Sequence, residues 1–368
     1  MRYVFIFIVC IHGLIHFIGF AKAFGYAGIK VPVIQISKGV ALLWLLTCLL
    51  FITTAVMLIL KNDSWWILSI AAIILSQVLI ISSWHDARYG TIANVLILLV
   101  TIPAYSSTNF NRAGVLASEN IMARVNGVHS YLITKEMLTH LPPVVQKWII
   151  RSGIIGKEKI NTVRLKQKGQ MRLKPSGNWL PFEARQYFAV DEPAFVWTTQ
   201  VHMMPFINLA GRDKFENGQG DMNIKLLSLF KVAGASGNEK INSAAMIRYL
   251  AETSWFPSAA LSDYIKWEAI DSNSAKAIMT FRGVTVNGVF NFNEKGDMVS
   301  FMADRYYESG ADAVTEKWLV QTEDWKEYNG IRIPYKSKVI WKLKTGDFNW
   351  AIMELTALEY NKTELYKE

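Results

Sequence analysis

Four apolar stretches fill the first 107 residues of the chain, and they constrain its fold more than any other feature. They run roughly Tyr3–Ala21, Gly39–Leu60, Trp65–Trp84 and Thr91–Ser106. Each is long enough, or nearly so, to cross about 30 Å of hydrocarbon as a helix. Lys61-Asn62-Asp63-Ser64 forms a tight polar turn between the second and third, and Trp65 and Trp66 stand where interfacial aromatics belong. The fourth is short and needs help from its flanks. Arg2 and Ala21-Lys22-Ala23 resemble the charged start and cleavage site of a signal peptide, but three further spans follow directly, so an uncleaved first helix is expected.

Charge follows the same division. Residues 1–107 hold six basic and two acidic side chains, leaving 33 and 28 for the remainder. No basic run is dense enough for nucleic acid, and a mildly basic soluble part beside an anionic bilayer explains the net +9. Lys22, Lys30, Lys38 and Arg88 flank the connections on one side. Arg2, Lys61 and Arg112 mark the other, which places the C-terminal part outside a bacterial cytoplasmic membrane. Cys10 and Cys48 both lie in apolar runs, so the soluble part has no disulfide framework or cysteine-based metal site.

Residues 108–157 read as an amphipathic helical connector. Within it, Leu141-Pro142-Pro143 opens a helix through Val144, Val145, Trp148 and Ile149 that stops at Gly153. From 158 to 368 the period changes to two. Phe195–Met203 and Val284–Phe292 alternate apolar and polar residues as half-buried strands do. Further strands are expected at Thr162–Leu173, Trp179–Val190, Ala275–Arg282, Met298–Tyr307, Trp318–Tyr328, Ile333–Leu343 and Phe348–Tyr360. Asn329-Gly330, Lys295-Gly296-Asp297 and Thr345-Gly346-Asp347 serve as turns between them. One helix, roughly Asn242–Ser254, interrupts the series. The fold class is therefore an α+β membrane protein: a four-helix transmembrane bundle, then a large antiparallel sheet with one packed helix.

Several runs are similar to an uncharacterised bacterial family of unknown function. They include Leu141-Pro142-Pro143, Asn178-Trp179-Leu180-Pro181, Gly211-Arg212-Asp213, Arg248-Tyr249-Leu250-Ala251-Glu252, Trp255-Phe256-Pro257-Ser258 and Asn329-Gly330-Ile331-Arg332-Ile333-Pro334. The likeness spans about 140–361. The first third, with His12-Gly13, His16 and Asp86-Ala87-Arg88-Tyr89-Gly90, looks like versions carrying a four-helix anchor. The resemblance implies a curved half-barrel sheet similar to the periplasmic lipoprotein-carrier fold, and it implies no activity and no catalytic residue.

Two groups of side chains are candidates for chemistry. His12 and His16 share one face of the first helix at a spacing that suits two metal ligands, and chain parity brings His85, Asp86 and Arg88 toward the same side. A helix-locking polar cluster, a metal site and a catalytic site all fit these five residues. Haem is disfavoured because the intramembrane histidines share one helix. Asp86 faintly resembles the first aspartate of prepilin-type peptidases, but the partner string Gly218-Gln219-Gly220-Asp221 is better explained as a turn. His129, His140 and His202 are scattered without metal spacing.

In the β-rich part, Arg248 and Glu252 form an i,i+4 pair expected at the surface. Trp255 and Phe256 suit either the core or the lid of an apolar site, and Trp197 and Phe290 could line one. These six residues are the candidate ligand contacts. The expected function is binding or transfer of a lipid, lipoprotein or other amphiphile in the concavity of the sheet, with membrane lipids as partners. An enzyme or metal protein centred on the His12 cluster, and an envelope scaffold using a strand edge, are the alternatives. Catalysis is the less favoured class. No cofactor is expected, a metal at the membrane cluster apart, and oligomeric state is open.

Overall fold

A computed structural model describes residues 2–25, 37–125, 130–205, 207–308, 310 and 312–367. Lys30 and His129 lie outside the described residues. The chain divides into two compact units, Met1–Phe110 and Asn111–Glu368.

The first unit contains α1 (Arg2–Ala23), α2 (Lys38–Ile59), α3 (Trp65–Ser82), the single turn α4 (Trp84–Ala87) and most of α5 (Gly90–Ala123). All but α4 are long and apolar enough to cross a membrane. Their outward side chains are apolar: Leu14, Leu49, Ile74 and Leu99 are each more than half exposed. That pattern suits hydrocarbon as the surrounding solvent. Ser37 caps α2 by accepting the Val40 N–H, and Asn62 Oδ1 accepts the Ser64 N–H in the turn before α3.

The fourth helix departs from the expected Thr91–Ser106. It runs on to Ala123 without a break, Pro103 included. The reason lies in the second unit, where Ile121 and Met122 are buried against Tyr187, Ala189, Ala194 and Val196. Burial on a sheet face stabilises turns whose own polar sequence gives little sign of helix.

The second unit is one sheet of 13 antiparallel strands. These are β1 (Thr162–Met171), β2 (Leu180–Ala189), β3 (Ala194–Met204), β4 (Ile207–Glu216), β5 (Gln219–Leu226) and β6 (Phe230–Ser236). They continue with β7 (Ile265–Ala269), β8 (Ser274–Phe281), β9 (Val284–Phe292), β10 (Met298–Tyr306), β11 (Thr315–Tyr328), β12 (Ile331–Leu343) and β13 (Gly346–Tyr360). The order β6-β5-β4-β3-β2-β1-β13-β12-β11-β10-β9-β8-β7 is two meanders joined where β13 pairs with β1.

Helix α7 (Glu239–Glu252) connects the two edge strands, and it packs against β4, β5 and β6 as well as β8, β9 and β10. Opposite ends of the strand order thus meet one helix, so the sheet curls around α7 as an open half-barrel. The ends also meet directly: a Cβ on Gly218 would come 2.7 Å from Arg282 Cβ. Asn217 and Gly218 both have positive φ, as a tight hairpin turn requires. Helix α6 (Pro143–Ser152) ends at left-handed Gly153 and lies on the inner face, with Trp148 stacked 5.9 Å from Phe290.

Candidate functional site

In the first unit the polar centre forms around Asn94 on α5. The His12 Nε2–H donates to Asn94 Oδ1 at 2.9 Å, and Ser76 Oγ on α3 donates to the same oxygen at 3.0 Å. Asn94 Nδ2 donates to Gln77 Oε1 at 3.0 Å, and Gln77 Nε2 donates to Thr91 Oγ1 at 3.2 Å. His16 Nδ1 donates to the His12 carbonyl at 2.9 Å, and its ring lies 5.1 Å from that of Trp44. Gly19 allows α2 to approach: a Cβ there would stand 2.6 Å from the Trp44 ring.

His12 and His16 are therefore buried in a three-helix hydrogen-bonded network. His85 is 89% exposed, pairs with Asp86 at 3.1 Å, and Arg88 stacks on Tyr89 instead. The structure thus separates the two halves of the expected five-residue cluster. Among the described residues no group of three or more His, Cys, Asp or Glu could hold a metal ion. Asn94, Ser76 and Gln77 were the missing members, and the signal for them was a polar side chain within each apolar run.

In the second unit an ionic cluster stands under α7. Arg248 Nη1 donates to Asp213 Oδ2 at 2.7 Å, and Arg248 Nε donates to Glu252 Oε1 at 2.9 Å. Gln186 Nε2 donates to Glu252 Oε2 at 2.8 Å. The Arg248 guanidinium lies 4.6 Å from the Trp197 ring, and Trp197 Nε1 donates to Gln167 Oε1 at 2.9 Å. Arg305 on β10 completes the group, with Nε donating to the Ala244 carbonyl of α7 at 3.1 Å.

Burial raises the pKa of Asp213 and of Glu252, and outweighs the pull of Arg248 on each. Arg248 itself is desolvated, but its two carboxylates hold its pKa above the ordinary value. The same two carboxylates compensate Arg305 less. Burial and the like charge of Arg248 push its pKa down to about 10. The Arg248–Glu252 pair forms at the predicted spacing, but inside the curled sheet rather than at the surface.

The aromatic candidates divide by position. Phe256 is fully buried, 4.9 Å from the Phe188 ring and 5.7 Å from Tyr249. Trp255 is buried beside Phe188, and its carbonyl accepts from Tyr360 Oη at 2.7 Å. Phe290 is fully buried between Phe301 at 4.8 Å and Trp267 at 5.1 Å. These three belong to the packed core, whereas Arg248 and Glu252 form the ionic cluster and Trp197, buried beneath it, packs against the Arg248 guanidinium.

Beyond α7 the inner face is less covered. Met203 on β3, Ile224 and Leu226 on β5 and Leu343 on β12 are half-buried. Phe230 on edge strand β6 is paired with Leu226, hence on the same face, and is 60% exposed. The outer face carries a shallow groove of about 350 Å³ lined by Lys168, Glu183, His202, Lys336 and Glu354. Its charges are of both signs, and Lys168 and Glu354 already pair at 3.8 Å.

Three solved structures are similar to this chain at a TM-score of 0.33–0.35. A putative outer membrane lipoprotein-sorting protein domain from Vibrio parahaemolyticus is 9% identical over 59% of this chain and 91% of its own, at 0.34. A LolA superfamily protein from Nitrosomonas europaea is 9% identical over 59% and 94%, at 0.33. A DUF1329 family protein from Desulfovibrio piger is 13% identical over 60% and 93%, at 0.35. No curated protein matches the chain. Residues 131–353 match a family of unknown function, DUF6544, across the sheet, α6 and α7, and the chain belongs to that family.

Proposed function

We propose that this is a membrane-anchored protein that binds or transfers a lipid, lipoprotein or other amphiphile on the inner face of its half-barrel. One observation carries the reading. Met203, Ile224, Leu226 and Phe230 form an apolar surface that α7 leaves partly uncovered, Phe230 being 60% exposed. Soluble proteins seldom leave such surface inside a concavity unless something occupies it. Four apolar helices in the same chain keep this surface near a bilayer, where acyl chains are the abundant apolar ligand. Trp197, Arg248 and Glu252 form the polar boundary of the proposed site, and Trp255, Phe256 and Phe290 are the packed support behind it. The half-barrel is assigned to the exterior of a bacterial cytoplasmic membrane by the lysine and arginine flanks.

The test uses the segment Asn111–Glu368, which lacks the first three apolar helices, and a fatty acid carrying an environment-sensitive fluorophore. The expected result is saturable binding that Leu226→Asp weakens at least tenfold. A half-exposed charge leaves the melting temperature nearly unchanged, whereas a buried one does not. Absence of saturable binding, or binding indifferent to Leu226→Asp, refutes the site.

A further inference from the structure

We propose that Arg305 is the head-group residue of this site, its two terminal guanidinium nitrogens gripping an oxyanion, either a phosphate ester or a carboxylate. This deepens the amphiphile reading and rests on it. The guanidinium is held in place before any ligand arrives. Its Nε is committed to the Ala244 carbonyl at 3.1 Å, and its Cζ lies 4.9 Å from the Trp318 ring and 5.5 Å from the Trp341 ring. An arginine fixed this way presents two parallel N–H groups, the fork that matches an oxyanion in bidentate geometry.

Those N–H groups have no hydrogen-bond partner among the described residues. Three of the four nearby carboxylate oxygens are already engaged: Asp213 Oδ2 and Glu252 Oε1 by Arg248, and Glu252 Oε2 by Gln186. The contrast with Arg248, which binds both acids, marks Arg305 as the member of the cluster left to serve something else. A second donor is idle beside it, since Trp318 is 5% exposed and its Nε1 has no acceptor among the described residues. A buried donor is almost always paired, so Trp318 Nε1 calls for an acceptor that arrives with a ligand, and the Arg305 fork beside it is only half-buried and open to that ligand. The depressed pKa of Arg305, about 10, agrees: burial and the like charge of Arg248 outweigh the attraction of Asp213 and Glu252, neither of which is hydrogen-bonded to it.

The placement also joins head group to chain. Arg305 bonds the Ala244 carbonyl of α7, and the next residue, Ala245, lies 3.0 Å from the Cβ position of Gly220 on β5, two inner-face steps from Ile224. An anion at Arg305 would therefore lie beside the apolar surface that Ile224, Leu226 and Phe230 provide.

Native mass spectrometry of the full chain, released from a neutral detergent, separates the outcomes. The probes are palmitate, palmitoyl-lysophosphatidylglycerol and uncharged monopalmitoylglycerol. At least one anionic probe should bind the unmodified chain about tenfold more tightly than monopalmitoylglycerol, and the preferred anion identifies carboxylate or phosphate. Arg305→Gln should abolish that preference. Arg305→Lys, which keeps the charge and loses the fork, should retain only part of it. Monopalmitoylglycerol binding in each variant reports that the apolar surface is intact. Equal binding of charged and uncharged probes, or a preference that survives in Arg305→Gln, overturns the role of Arg305 while the amphiphile reading stands. No binding by any probe sinks both.

Discussion

Arg248→Met is the sharpest perturbation of the β-rich unit, because one side chain neutralises two carboxyls. Asp213 and Glu252 lie 2.7 and 2.9 Å from its nitrogens, and its guanidinium covers the rings of Trp197 and Phe195 at 4.6 and 5.1 Å. Methionine replaces much of the ring contact but none of the charge. Breaking a buried ion pair from one side costs about 3–5 kcal/mol, because the remaining charge is desolvated without compensation. With a urea slope of about 2 kcal/mol per molar, the unfolding midpoint of Asn111–Glu368 should fall by about 2 M. Tryptophan fluorescence reads this directly.

The loss should also depend on pH. Burial already raises both carboxyl pKa values, and losing the arginine raises them further. A carboxyl with a raised folded pKa adds stability while protonated and loses it as pH climbs through that value. The deficit should therefore shrink as pH falls below neutral. The triple variant Arg248→Met, Asp213→Asn, Glu252→Gln should recover most of the loss at pH 7. A midpoint shift below about 0.5 M in the single variant, by the same urea slope, would refute the reading of these groups as a coupled buried cluster.

Other expectations follow from the same physics. Asp297 accepts from Arg332 Nε at 2.7 Å and Arg151 Nε at 3.2 Å, and these partners hold its pKa below the ordinary value against the opposing effect of burial. Its contribution is present above the unfolded carboxyl value, about 4, and lost as pH falls through the folded value, so acid unfolding of Asp297→Asn should begin from lower stability and show a flatter slope. In the first unit, His12→Ala should cost roughly 0.6 kcal/mol if the apolar helices span a bilayer, the value typical of one hydrogen bond there. Asn94→Ala removes the hub of three hydrogen bonds and should cost more, as read by denaturation in mixed micelles. A reporter that fluoresces only in the cytoplasm should stay dark when fused after Glu368, and a bright fusion would reverse the assigned orientation.

Much of this fold is legible in the sequence, and the gaps have a common cause. Strands β1–β3 and β8–β13 announce themselves by alternation because most of their inner residues are apolar, Gln167, Gln186 and Arg305 aside. Strands β4 and β5 do not. Their inner positions include Gly211, Asp213 and Gly220, and each departs from alternation through the interior that α7 fills. Asp213 is there to meet Arg248. Gly220 is there because a Cβ would stand 2.5 Å from the Ile241 carbonyl of α7. These are tertiary requirements, visible only once the sheet has curled.

The same holds for the candidate site. The spacing of Arg248 and Glu252 gave their pairing, but their burial depends on distant strands. Arg305, one place before the Tyr306 end of β10, carries no local signature at all. In the first unit, helix parity sets α1 and α3 running the same way, with Phe5 beside Trp65 and His12 beside Ser76. It says nothing about which residues of the α3–α4 corner turn outward, and His85 and Asp86 do.

The central claim is that lipid occupies the inner face of the half-barrel in the intact membrane. A photoactivatable fatty acid incorporated into membranes containing the full chain, followed by irradiation and peptide mapping, tests it most directly. The account predicts labelling at Met203 and within Ile224–Phe230, reduced by excess unlabelled lipid and by Leu226→Asp. Labelling confined to the four apolar helices, with none on β3, β5 or β6, would contradict it.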